Sequence, residues 1–126
     1  MKRTISTTDA PDAVGAYSQA TTDGSLVFTA GQIPMTSDGD LLDDEPIATQ
    51  AEQALSNVEA VLAAEGLEMS DVLKVTVFLD DIGDFEAMND TYAGFFDEAP
   101  PARSAVEVAN LPKGVGVEIE AIATSN

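Results

Sequence analysis

Cysteine and histidine are both absent from the 126 residues. The first absence removes disulfides, thiol nucleophiles and thiolate metal ligands; the second removes the commonest metal ligand and the side chain that titrates near neutrality. Any chemistry therefore falls to carboxylates, hydroxyls, arginine or the backbone. Basic residues are scarce: Lys2, Arg3, Lys74, Arg103 and Lys113 stand against 23 acids, for a net charge of −18. Nucleic acids and anionic membranes are bound through clustered Lys and Arg, so neither is an expected partner. No apolar run reaches the length of a membrane span. The basic start Met1-Lys2-Arg3 is followed by no apolar signal region, which predicts a cytoplasmic protein.

What is present points to a folded chain. Apolar residues make up 44%, enough for one core, and residues 1–126 read as a single domain. The acids are dispersed rather than gathered in a tail. That pattern suits a salt-rich cytoplasm where screening offsets self-repulsion, so a halophilic source is expected, with an ordinary acidic protein as the alternative.

Periodicity gives the elements. Lys2–Ser6 reads as a first strand, and Thr8-Asp9-Ala10-Pro11-Asp12 as a turn. Ala16–Ala20 and Leu26–Ala30 form a hairpin around Asp23-Gly24. Ser37–Glu45 is an acidic loop. Pro46 opens a helix whose stripe is Ile47, Ala51, Ala54, Leu55, Val58, Val61 and Leu62, closed by Gly66. Val72–Leu79 is a central strand with Leu73, Val75, Val77 and Leu79 on one side and Lys74, Thr76 and Phe78 on the other. Asp84 caps a second helix that buries Phe85, Met88, Tyr92, Phe95 and Phe96. The last two strands read as a hairpin. The order β-β-β-α-β-α-β-β gives an α+β fold, a single sheet with two helices on one face. Phe78, Val106, Val108 and Ile122 are available to the bare face, which predicts an oligomer.

The segment Pro100–Ala123 carries the candidate chemistry. The proline pair stiffens the approach to Arg103. On the final strand Val117, Ile119, Ala121 and Ala123 share one face, while Glu118, Glu120 and Ile122 share the other. If the last two strands are neighbours, Arg103 meets a glutamate near the polar face, forming an anion site with an adjacent acid or base. Spacing alone favours a core position for Tyr17 and a surface or capping role for Asn89. Gly114-Val115-Gly116 precedes a strand rather than a helix, so it is no phosphate loop.

Five segments together resemble the Rid family, the YjgF-type reactive intermediate or enamine/imine deaminases. They are Gly15–Ala20, Gly31–Pro34, Asn89–Tyr92, Pro101–Ser104 and Val117–Ala123. The resemblance runs nearly end to end. It implies a chorismate-mutase-like fold, a homotrimer and ligand clefts between subunits. It also implies hydrolytic deamination of 2-imino or enamine acids of the 2-aminoacrylate type, released by pyridoxal-phosphate enzymes, to 2-keto acids and ammonia without metal or organic cofactor.

By the same resemblance Arg103 pairs with the substrate carboxylate, the Ala105 backbone N–H binds a carboxylate oxygen, and Glu118 handles the attacking water with Tyr17 as a hydrogen-bonding partner. Gly31 and Asn89 line the cleft. Two positions depart from the pattern: Ala105 replaces a frequent cysteine, and Ala30 a frequent small hydroxyl residue. The other readings are a small-carboxylate binding or regulatory protein without turnover, and a protein-holding chaperone. An RNA-directed role is opposed by the charge.

Overall fold

The computed structural model describes residues 1–125. Its elements run β1 (Arg3–Ile5), β2 (Ala20–Thr22), β3 (Leu26–Thr29), α1 (Ile47–Ala63), β4 (Val72–Leu79), α2 (Phe85–Ala93), β5 (Ala102–Glu107) and β6 (Val117–Thr124). This is the expected order, and it folds as one six-stranded mixed sheet, β1-β2-β3-β6-β4-β5.

The helix stripe of α1 fell where periodicity placed it: Ala51, Ala54, Leu55, Val58, Val61 and Leu62 are all buried. Complete burial of a leucine such as Leu55 or Leu62 contributes about 1.5–3 kcal/mol. Gly66 ends the run at φ 76°, its N–H bonded to Ala63 O and that of Leu67 to Leu62 O, a left-handed stop that a side chain would strain. The covered sheet face is Val75, Val77 and Leu79 of β4 with Val117, Ile119, Ala121 and Ala123 of β6. On the opposite face Phe78 and Ile122 are partly covered, while Phe28 and Val106 are exposed.

Five expectations need correction. The first strand of the Asp23-Gly24 hairpin is Ala20–Thr22 and not Ala16–Ala20, most of which lies in a loop. The last two strands are not a hairpin: β4 lies between them, antiparallel to β6 and parallel to β5. The chain from β5 to β6 rounds the end of β4, where Val108 N–H donates to Leu79 O and Asp80 N–H to Gly116 O. Leu73 does not share the buried side of β4. The register shifts between Val72 and Lys74, which turns Leu73 out to 50% exposure and puts Val72 inside. Asp84 makes no side-chain cap; Asp81 serves the turn before α2, accepting from Gly83 N–H at 2.8 Å. Finally, α2 ends at Ala93, and Phe95 and Phe96 reach the core from the turns that follow.

Candidate active site

Glu118 projects from β6 onto the open face, in the row that continues through Phe78 to Val106. Gly31 lies directly against it. A β-carbon on residue 31 would sit 2.5 Å from Glu118 Oε2, so only hydrogen leaves room for the carboxylate. The contact is fixed by a bridge in which Gln32 N–H donates to Ile119 O at 2.7 Å and Ile119 N–H to Gln32 O at 3.0 Å. Beneath the same loop, buried Asn57 of α1 donates to Ile33 O and Met35 O.

Tyr17, Gly31, Lys113 and Glu118 border one open cavity of about 620 Å³. Tyr17 is 54% exposed, which corrects its core reading: the loop before β2 lies on the surface and presents the ring at the cavity. Buried Gln19 anchors that loop. Its Oε1 accepts from Thr7 N–H, and its Nε2 donates to Thr7 O and Pro11 O. Partial burial pushes the Glu118 carboxyl above the ordinary glutamate range, and the like charge of Glu120 adds to the effect. Such a group takes up a proton more readily than a solvated carboxylate.

Arg103 stands elsewhere. It pairs in register with Val75, so its side chain emerges on the helix-covered face and reaches α2. Nη1 donates to Asn89 Oδ1 at 2.6 Å, and Cζ lies 4.6 Å from the Tyr92 ring centre and 5.2 Å from that of Phe85. Asn89, Tyr92, Phe96, Pro100, Pro101 and Arg103 border a second cavity of about 350 Å³. Ala105 shares the face of Arg103. Since Val108 N–H points to β4 and successive amides alternate, the Ala105 N–H points to the free edge of the sheet.

The six expected site residues thus form two groups, Tyr17-Gly31-Glu118 and Asn89-Arg103-Ala105. Arg103 and Glu118 do not meet within one chain, contrary to the neighbouring-strand expectation, because β4 separates their strands and the side chains leave opposite faces. Asn89 is neither a cap nor idle surface; it orients the arginine. Sequence reasoning missed Lys113 at the Glu118 cavity, although a lone lysine in the Pro112-Lys113-Gly114 turn was a usable signal. It also assigned Phe85 and Tyr92 to the core alone. Among the described residues no group of three or more acidic side chains is arranged to hold a metal ion, and no helix is long and apolar enough to cross a membrane.

Residues 7–125 match the family described as Endoribonuclease L-PSP. The chain belongs to this family, the YjgF or Rid type expected from the five segments. Over 127 residues it is 49% identical to the 2-iminobutanoate/2-iminopropanoate deaminase of Salmonella typhimurium, covering 98% of each chain. It is 49% identical over 123 residues to a RutC family protein of Pyrococcus horikoshii, again covering 98% of both. Among Rid-type structures, the YjgF gene product of Escherichia coli superposes with a TM-score of 0.93 at 46% identity, over 98% of this chain and 99% of that one. E. coli TdcF, crystallised with bound serine, gives 0.93 at 44% identity with the same coverage.

Proposed function

We propose that this Rid-family chain hydrolyses reactive 2-imino acids of the 2-aminoacrylate type to 2-keto acids and ammonia, in clefts assembled between copies of itself. The observation that carries the reading is the state of Arg103. In a chain of 23 acids its guanidinium has an amide and two rings for neighbours, and the one ion pair among the described residues is Arg3–Glu65. It keeps donors free for a ligand carboxylate, which a planar guanidinium binds with two parallel hydrogen bonds.

The division of the six residues into two groups supports a matching division of roles. One copy supplies Arg103 and the Ala105 N–H for the substrate carboxylate, with Asn89 steadying the arginine. Its neighbour supplies Glu118, Tyr17 and Gly31 at the imine carbon. Water adds to that carbon while Glu118 takes its proton. That proton passes to the nitrogen to give a carbinolamine; Glu118 then takes the hydroxyl proton and hands it to the nitrogen as the C–N bond breaks, so ammonia departs and the carbonyl forms. Imine plus water gives keto acid plus ammonia, and the reaction needs no metal or organic cofactor. The homotrimer implied by the family resemblance covers the exposed Phe28 and Val106. RNA is a poor substrate for a chain of charge −18, whatever the family description. The cytoplasm, where the enzymes that release such imines work, is the proposed setting.

The test couples a pyridoxal-phosphate serine or threonine dehydratase to the protein in molar salt and follows imine decay. Glu118→Ala is expected to lose about 10²–10⁴-fold, the usual worth of general acid–base catalysis. Arg103→Ala should raise KM steeply; imine hydrolysis by that variant at the wild-type rate would overturn the assignment. The serine bound to TdcF supports a second reading, a carboxylate-binding protein without turnover. Saturable binding of 2-ketobutyrate with no effect on imine decay would favour it.

A further inference from the structure

Phe85, Asn89 and Tyr92 are spaced four and three residues apart, so one face of α2 carries all three. Each touches the same guanidinium: Tyr92 with its ring centre at 4.6 Å from Cζ, Phe85 at 5.2 Å, and Asn89 through the hydrogen bond to Nη1. We infer that Tyr92 and Phe85 are positioning residues that hold Arg103 in a carboxylate-receiving pose while leaving its charge uncancelled. The substrate part of this inference rests on the imino-acid reading; the cradle itself does not.

An arginine that is to bind an anion must be held in place without being neutralised. A carboxylate neighbour would hold the guanidinium well, but it would also neutralise it and occupy the edge that the ligand requires. Aromatic faces attract the cation through the ring quadrupole and present no competing acceptor in the guanidinium plane. An amide oxygen fixes one nitrogen without adding net charge. With acids so abundant in this sequence, a cradle of two rings and one amide keeps the positive charge available. The proline pair that borders the same cavity stiffens the strand from which Arg103 projects.

The Tyr92 hydroxyl is separable from this role. It is buried and has no hydrogen-bond partner among the described residues, whereas the ring faces the cation. Tyr92→Phe should therefore keep wild-type KM, and Tyr92→Leu should lose the ring–cation contact. Phe85→Leu removes the second ring from a less buried position and serves if Tyr92→Leu does not fold.

The experiment measures kcat and KM for imine hydrolysis, and Kd for 2-ketobutyrate, in wild type, Y92F, Y92L and F85L. It also measures exchange of the Arg103 guanidinium resonances by nuclear magnetic resonance. The expected result is a roughly ten-fold rise in KM and Kd for the leucine variants with kcat little changed, and recovery in Y92F. Loss of folded protein alone would lower kcat and leave KM in place, so that pattern counts against the inference. Wild-type KM and Kd in both leucine variants would overturn it. If the wild type neither hydrolyses imines nor binds 2-ketobutyrate, the functional reading fails, and Arg103 exchange still decides the cradle. Exchange that is slow in wild type and fast in F85L supports the cradle, and equal exchange refutes it.

Discussion

The Glu118 carboxylate occupies the volume that a side chain at Gly31 would need, with Oε2 2.5 Å from the nearest β-carbon position. The glycine is required here for close approach and not for its dihedral angles, since its φ is not positive. Gly31→Ala must push the carboxylate aside. Misplacing a catalytic group by about 1 Å can cost on the order of 10²-fold in rate, and a loss of that size in kcat is expected with the fold retained. Steady-state imine hydrolysis together with circular dichroism checks both halves; an alanine variant as fast as wild type would show that Glu118 is not the water-handling group.

The acid limb of the pH–rate profile should lie above the ordinary glutamate range. In the proposed role Glu118 must be ionised to act as a base, and burial first, then the charge of Glu120, hold its proton on. Glu120→Gln removes the second cause and keeps the first. The limb should move towards lower pH without reaching the value of a solvated glutamate. A limb that stays put in this variant would mean that another group sets it.

Mixing tests whether two copies share each site. At substrate well below the wild-type KM, Arg103→Ala and Glu118→Ala chains should each show almost no activity alone. Unfolded together and refolded at equal amounts, they should regain roughly one quarter of wild-type activity, because a cyclic assembly pairs an intact Arg103 with an intact Glu118 in that fraction of sites. Continued inactivity after mixed assembly, verified by mass spectrometry, would argue for sites within single chains.

Salt should stabilise the fold. A net charge of −18 with only Arg3–Glu65 as an ion pair among the described residues leaves much repulsion unanswered. Raising salt from 0.1 to 1 M shortens the screening length from about 10 to about 3 Å. A rise of several degrees in Tm is expected. The same Tm in dilute buffer and in molar salt would remove the basis for a halophilic origin.

The sequence was most legible where one period held over a long element. The α1 stripe from Ala51 to Leu62 and the alternation of Val117 to Thr124 both fell as read. It was least legible where pairing is non-local. A short connection through Pro112 and Gly114 reads as a hairpin, and nothing in it records that β4 has entered between β5 and β6. Alternation also could not orient β5, because Ala105 and Val106 offer apolar groups to both faces; the register with Val75 decides that Arg103 meets α2. Leu73 escaped because a bulge breaks the period of two, and Tyr17 because loop residues obey no period. Scarcity and alternation singled out Arg103 and a glutamate of the last strand, and the resemblance chose Glu118 and added the other four site residues, but their division into two groups emerged only from strand order.

The loops that carry the candidate site are fastened by neutral amides. Gln19 holds the segment bearing Tyr17, Asn57 holds the chain beyond Gly31, and Gln50 accepts from the N–H of Gly116 ahead of β6. None of these side chains gains or loses a proton across the biological range, and none relies on a charge that dissolved ions can screen. The exterior can therefore be remodelled in charge to suit its medium while the cleft keeps its shape, a division of labour between a tunable skin and an indifferent interior.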